Sequence, residues 1–205
     1  FIAFDGRNGN ELWRSDGTTA VLVRGAIDMV ADGETYVIYD REAPLNQPVM
    51  YYAEWVYIPT STVTRDNSGF VTVLADRPIL SEPITGVLAQ LTIVMWPEAT
   101  RQARASVLAV ARRRNPIVIS DMLGPSSSTP VLRTDDATQL AAARLVLETG
   151  RGLQLRATCA GVPDKYFTVQ SWTERRRSNN SADPVRFHDL TVIEIDQPNP
   201  QLLAI

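Results

Sequence analysis

The sequence predicts an α+β chain in two parts. Residues 1–85 read as a small antiparallel β-sandwich, residues 86–199 as a mostly antiparallel sheet with two helices on one face, and 200–205 as a short tail. Three observations predict this. Short β-branched and aromatic runs recur in the first half at roughly 8–12-residue spacing with no 3.6-residue pattern. Asp76–Gly86 then gathers Pro78, Pro83 and Gly86, residues that interrupt regular structure. Beyond it, apolar residues fall twice on helical stripes, each time between apolar strand-like runs.

In the first half, Phe1–Asp5 and Glu11–Arg14 flank Asn8-Gly9, a pair that tolerates positive φ and predicts a hairpin. Thr19–Arg24 and Thr35–Asp40 are short strand-formers. Val49–Ile58 places Val49, Tyr51, Ala53, Trp55 and Tyr57 on one face, as a sandwich core or as a platform for a ligand or partner. Asp66-Asn67-Ser68-Gly69 predicts a turn before the strand Phe70–Leu74.

In the second half, Leu88–Met95 is an apolar strand and Pro97 suits a helix start. A helix is expected over Glu98–Arg113, with Ala99, Ala103, Val107, Val110 and Ala111 on one stripe. Asn115-Pro116 ends it before the strand Ile117–Ser120, and Gly124–Thr129 reads as a loop. After the strand Val131–Arg133, Thr134 or Asp135 opens a second helix that runs to about Glu148, with Gly150 as its stop. Leu153–Thr158, Tyr166–Thr173 and Val185–Ile195 are strands, and Arg175–Ala182 is a polar turn between the last two.

Composition narrows the function. Hydrophobic residues make up 44% and charged residues 21%, which fits a globular chain with a sizeable core and excludes wholesale disorder. No apolar run approaches the roughly 18–20 residues of a helical membrane span. A net charge of -3 argues against a basic nucleic-acid binder. One cysteine, Cys159, excludes an internal disulfide and a multi-cysteine zinc site. Of 20 basic residues only Lys165 is a lysine. Arginine suits bidentate contacts at interfaces, and a GC-rich genome favours the same residue. The chain opens at Phe1 without a methionine, as expected of a processed chain or one part of a longer polypeptide.

The tests for chemistry are negative. Ser126, Ser127 and Ser128 lie in no Gly-x-Ser-x-Gly elbow. His188 is the one histidine and sits in a strand pattern, and nothing in the spacing pairs it with Cys159. Glu194 and Asp196 share a strand face, while Asp135 and Asp136 are explained by a helix start. The oxygen-rich stretch from Asp5 to Glu11 fails the calcium-loop spacing because Arg7 takes a ligand position. Gly150-Arg151-Gly152 follows a helix, the wrong polarity for phosphate capture. Neither a catalytic site nor a cofactor or metal site is expected. Two arginine clusters remain, Arg112-Arg113-Arg114 and Arg175-Arg176-Arg177 with Trp172 nearby, either solvated or placed at an interface between subunits.

One ordered set of short matches sharpens the reading. Leu91–Glu98, Arg104–Leu108 and Asn115–Asp121 are similar to the minor tail proteins of long-tailed phages that infect actinobacteria. So are Asp40–Leu45 with Pro48 and Tyr51, Arg133–Asp135, Leu147–Arg151, Cys159–Asp164 and Glu194–Pro198. Gln197 stands where that family usually has arginine, and the Ser126–Ser128 run departs from its glycine- and arginine-rich loop. The resemblance covers most of residues 35–198. It implies an immunoglobulin- or fibronectin-like module followed by a tail-tube- or distal-tail-like domain with a Trp-Pro helix. It also implies a virion structural protein of the tail tip or baseplate with no catalytic site. The expected partners are further copies in a ring or trimer and other tail-tube and tip proteins, with the Tyr166–Ile195 hairpin as the interface arm. The alternative function is an adhesin-type module whose first-half aromatics stack on host envelope glycans. No nucleic acid and no membrane insertion are expected.

Overall fold

The computed structural model describes residues 2–3, 10–26, 29, 35–57, 62–108, 117–180 and 182–199. The chain is mostly β, about 50% strand and 9% helical. The first half holds β1 (Ile2–Ala3), β2 (Glu11–Ser15), β3 (Ala20–Leu22), β4 (Thr35–Tyr36), β5 (Pro48–Tyr57) and β6 (Thr62–Thr72). The second holds β7 (Ile79–Ser81), β8 (Leu88–Gln90), β9 (Thr92–Met95), β10 (Thr100–Leu108), β11 (Ile117–Ser128) and β12 (Val131–Thr134), followed by α1 (Ala137–Leu147), β13 (Leu153–Arg156), β14 (Lys165–Arg176) and β15 (Arg186–Glu194).

The expected sandwich is not formed among the described residues. Instead there is one four-stranded antiparallel sheet, ordered β3-β2-β5-β6, and a separate pair β1-β4. Asn8-Gly9 lies outside the described residues, and of the strands expected beside it β1 pairs with β4 while β2 pairs with β3 and β5. From Val49 to Ala53 the alternation in β5 orients its residues as expected, with Val49 and Ala53 buried and Tyr51 half-buried, while the side chains of Trp55 and Tyr57 lie outside the described residues. Leu12, Val23 and Ala26 complete this small core with Met29 and Ile38. The predicted turn Asp66–Gly69 lies inside β6, where it makes a bulge opposite Tyr51. There Gly69 takes φ +70°, and Ser68 Oγ accepts from Tyr51 N at 3.1 Å. The residues that favour turns satisfy a displaced backbone without ending the strand.

The second sheet is nine-stranded, with the path β10-β11-β15-β14-β13-β7-β8 and with β12 bridging β15 to β9. The expected linker therefore contributes β7, which pairs with β13 and β8. One helix, not two, covers this sheet. The helix expected over 98–113 is β10, an antiparallel partner of β11, and the loop expected at Gly124–Thr129 is largely the end of β11. The apolar stripe behind that expectation is mostly alanine, which buries little. Ile117-Val118-Ile119 offers β10 a strongly β-forming partner, and non-local pairing overrides local propensity. α1 does form. Asp136 caps it, accepting from Gln139 N at 2.8 Å, and Ala143, Val146 and Leu147 are buried against the sheet. The main core gathers Leu80, Leu91, Leu132, Leu153, Leu155, Phe167, Leu190 and Val192 under α1.

Candidate functional site

All four residues of β13 are buried, because both of its faces are covered. Leu153 and Leu155 face the core. On the other face the segment Asp40–Leu45 lies against the sheet. Arg156 Nη1 donates to Ala43 O at 3.0 Å, and Thr158 Oγ1 donates to Leu45 O at 2.9 Å. Glu42 N donates to Asp40 Oδ1 at 3.0 Å, an Asx turn at the head of this segment.

Glu42 is the hub of the junction. Its carboxylate accepts from Arg24 Nε at 3.1 Å and Arg24 Nη2 at 3.0 Å, a bidentate pair in which both side chains are under a tenth exposed. It also accepts from the Tyr166 hydroxyl at 2.9 Å. Arg24 further donates to the carbonyls of Pro198 and Asn199, which ties the end of the described chain to the first sheet. Beside it, Asp40 accepts from Arg14 and from the Tyr51 hydroxyl at 2.9 Å. Burial and the adjacent carboxylates push both tyrosines well above the usual phenol range. Burial lowers the Arg156 guanidinium. Every charged group named here except Arg156 Nε has its partner, so the junction is a satisfied clamp and not an open reactive site.

The residues tested for catalysis stay apart. His188 is buried, with Nε2 3.2 Å from Thr134 Oγ1 and the Trp172 ring 6.0 Å away. It pairs across the sheet with Glu174, near the far end of β14. Cys159 sits in a single 3₁₀ turn just past β13, whose Leu155 pairs with Lys165 at the near end of β14. Nine residues of strand separate those two levels, about 30 Å. Glu194 is paired with Lys165, and the hydrogen bond from that lysine holds its carboxyl below the usual range. Among the described residues no three His, Cys, Asp or Glu side chains converge in a way that could hold a metal ion. Lys165 and Glu194 line a polar hollow of about 750 Å³ with Arg101 and Ser126, and the two charges neutralise each other.

Of the arginine clusters, Arg112, Arg113 and Arg114 lie outside the described residues. Arg175 pairs with Asp189 at 3.0 Å and lies over Phe187, and Arg177 pairs with Asp183 at 2.9 Å. Arg176 is exposed opposite Arg186. Trp172 is half-buried against the main core. The β14–β15 hairpin expected to be an arm lies within the sheet path, with β13 beside β14 at Lys165–Phe167 and β12 beside β15 at Arg186–Asp189.

Two surfaces were not legible beforehand. The first is a ribbon. Among the described residues β11 meets β15 only at Ser127 and Ser128, and the rest of it pairs with β10, from Thr100↔Ser127 to Leu108↔Ile117. The second is the outer face of the four-stranded sheet. Trp13 and Tyr52 are cross-strand neighbours with nearly parallel rings, centroids 6.4 Å apart. Trp13 Nε1 donates to Glu11, and Arg65 lies over Tyr52 while pairing with Glu54.

No protein-family model matches the chain, and no curated protein matches it.

Proposed function

We propose that this chain is a structural, non-enzymatic component of a phage tail tip or baseplate, assembled with copies of itself and other tail proteins into a symmetric ring or trimer. The observation that carries the reading is the β10–β11 ribbon. A two-stranded ribbon is marginal alone in water. Here the register sets apolar residues against apolar ones, Val107 opposite Val118 and Leu108 opposite Ile117. Such a ribbon fits burial against a neighbour. The ordered matches to actinobacteriophage minor tail proteins supply the context, and the Asp40–Leu45 match is the clamp segment that joins the two sheets. The Trp-Pro helix implied by that resemblance is β10, so the resemblance rests on motif order and not on this element.

The test is particle-based. The protein should copurify with virions, locate to the distal tail by labelled electron microscopy, and show a multiple of its monomer mass by light scattering. A protein that is monomeric at every concentration and absent from particles would overturn the reading.

A second reading, an adhesin-type module for envelope glycans, is favoured by the outer Trp13–Tyr52 face with its flanking Glu11 and Glu54. Aromatic faces cover sugar C–H groups, and carboxylates accept from vicinal hydroxyls. Binding to host envelope polysaccharide that disappears in Trp13→Ala, with unchanged circular dichroism, would support it; no polysaccharide binding by the wild-type protein would remove it.

A further inference from the structure

We infer that the seam between the two sheets holds one internal water molecule, bound by Arg156 Nε, Gln154 Oε1 and Ser81 Oγ. Among the described residues, five buried side-chain atoms have no hydrogen-bond partner: Ser81 Oγ, Arg133 Nε, Gln154 Oε1, Arg156 Nε and His188 Nδ1. Arg133 Nε still lies 2.7 Å from Asp135 Oδ1, and His188 belongs to the far end of the β14–β15 pair, opposite Glu174. The other three share one patch. Gln154 and Arg156 are two positions apart in β13 and so point to the same face, about 7 Å from each other. Ser81 in β7 is the direct cross-strand partner of Gln154, which sets their Cβ atoms about 5 Å apart.

All three residues are shut off from bulk solvent, at 1% exposure for Ser81, 2% for Gln154 and 5% for Arg156. Their shared face is the one turned away from Leu153 and Leu155 and toward the clamp segment. There Arg156 Nη1 donates to Ala43 O, and Tyr166, the partner of Gln154 on its other side, donates to Glu42. A buried polar atom without a partner is rare in a folded protein. Three such atoms on neighbouring strand positions call for one ligand that they share.

The chemistry of the three atoms selects water. Arg156 Nε can only donate, Gln154 Oε1 can only accept, and Ser81 Oγ can do either. One water molecule accepts from the guanidinium, donates to the amide oxygen and gives its remaining hydrogen or lone pair to the hydroxyl. Three bonds of this kind are typical of an internal water. An ion fits less well, because the charge of the seam is already balanced. Arg14 pairs with Asp40 and Arg24 with Glu42, and Arg156 is attracted by Asp164 and Asp40. An added anion would face three carboxylates, and an added cation three guanidinium groups. Held at Nε, Arg156 keeps its Nη1 on Ala43 O, so the water braces the clamp.

The test uses the full chain, isotope-labelled for nuclear magnetic resonance and also crystallised. The expected results are a water cross-peak at the Arg156 Nε–H with the sign of a long-resident molecule, and one ordered water within hydrogen-bond distance of all three atoms. Gln154→Leu and Ser81→Ala should each lower the melting temperature by about 2–6 °C, because each leaves the rest of the site short of a partner. Gln154→Leu should also abolish the cross-peak. The double variant should lose less than the sum of the two, since both residues act on one water. A direct Ser81–Gln154 hydrogen bond, an anion at Arg156, or no water cross-peak in the unmodified chain would overturn the site whatever the variants do. Additive losses in the double variant would overturn it as well.

Discussion

His188 illustrates how a lone titratable residue acts through burial. Its ring is 1% exposed, and loss of solvent holds its pKa below the ordinary 6.5. The folded state therefore binds fewer protons than the unfolded chain below that value. The stability tied to neutral His188 is present above about pH 6.5 and is lost as the pH falls below it. Melting temperatures should drop between pH 7 and pH 5, and His188→Gln should be less stable at pH 7 but show a flatter slope across that window. Glu174 and Glu194, held low chiefly by their hydrogen bonds to Arg144 and Lys165, lose their contribution only below the ordinary carboxylate range, as a second step. At Glu42 the effect is larger. Removing it by Glu42→Ala leaves Arg24 buried without its main partner and should cost about 3–5 kcal/mol in denaturant unfolding. Tyr166→Phe, which deletes one hydrogen bond to that carboxylate, should cost about 1.5–3 kcal/mol. His188 was legible in the sequence as a strand residue. That Glu42 meets Arg24 and Tyr166 was not, because 18 and 124 residues separate these partners and no local pattern encodes such a contact.

At the scale of elements, α1 was readable because its signals are local. A cap, an apolar stripe and a terminal glycine lie within one stretch, and Asp136→Ala should cost about 1 kcal/mol in thermal or denaturant unfolding. β10 carries a helical stripe as well, yet it is a strand. Alanine favours a helix only weakly in competition with a long ladder, and its partner β11 lies beyond Asn115-Pro116. β6 shows the converse error, since polar residues that usually end a strand support a bulge within one. The Arg175–Arg177 turn separates the two kinds of role. Replacing Arg175 and Arg176 by serine should leave the melting temperature nearly unchanged, because the Arg175–Asp189 pair is exposed and solvent-screened, whereas Arg177 partners the buried Asp183. Removing ribbon residues 102–123 with a short glycine-serine bridge should abolish self-association in light scattering while α1 and the main core keep their circular dichroism and melting temperature.

For the whole molecule, the two sheets are joined by a polar clamp, in which Arg156 and Thr158 reach the carbonyls of Ala43 and Leu45 and Tyr166 reaches Glu42. From the sequence alone came most strand positions, the helix α1, though its cap is Asp136 and not Thr134 or Asp135, and the apolar alternation of β5 from Val49 to Ala53. These depend on periodicity and on residues within a few positions of one another. The tertiary structure alone decided that the second half carries one helix, that β11 joins β15 only at Ser127 and Ser128, and that Asp40–Leu45 is the clamp. Each of these turns on which distant backbone edge is free to pair, and strand pairing is a competition among remote segments that no short stretch of sequence can resolve.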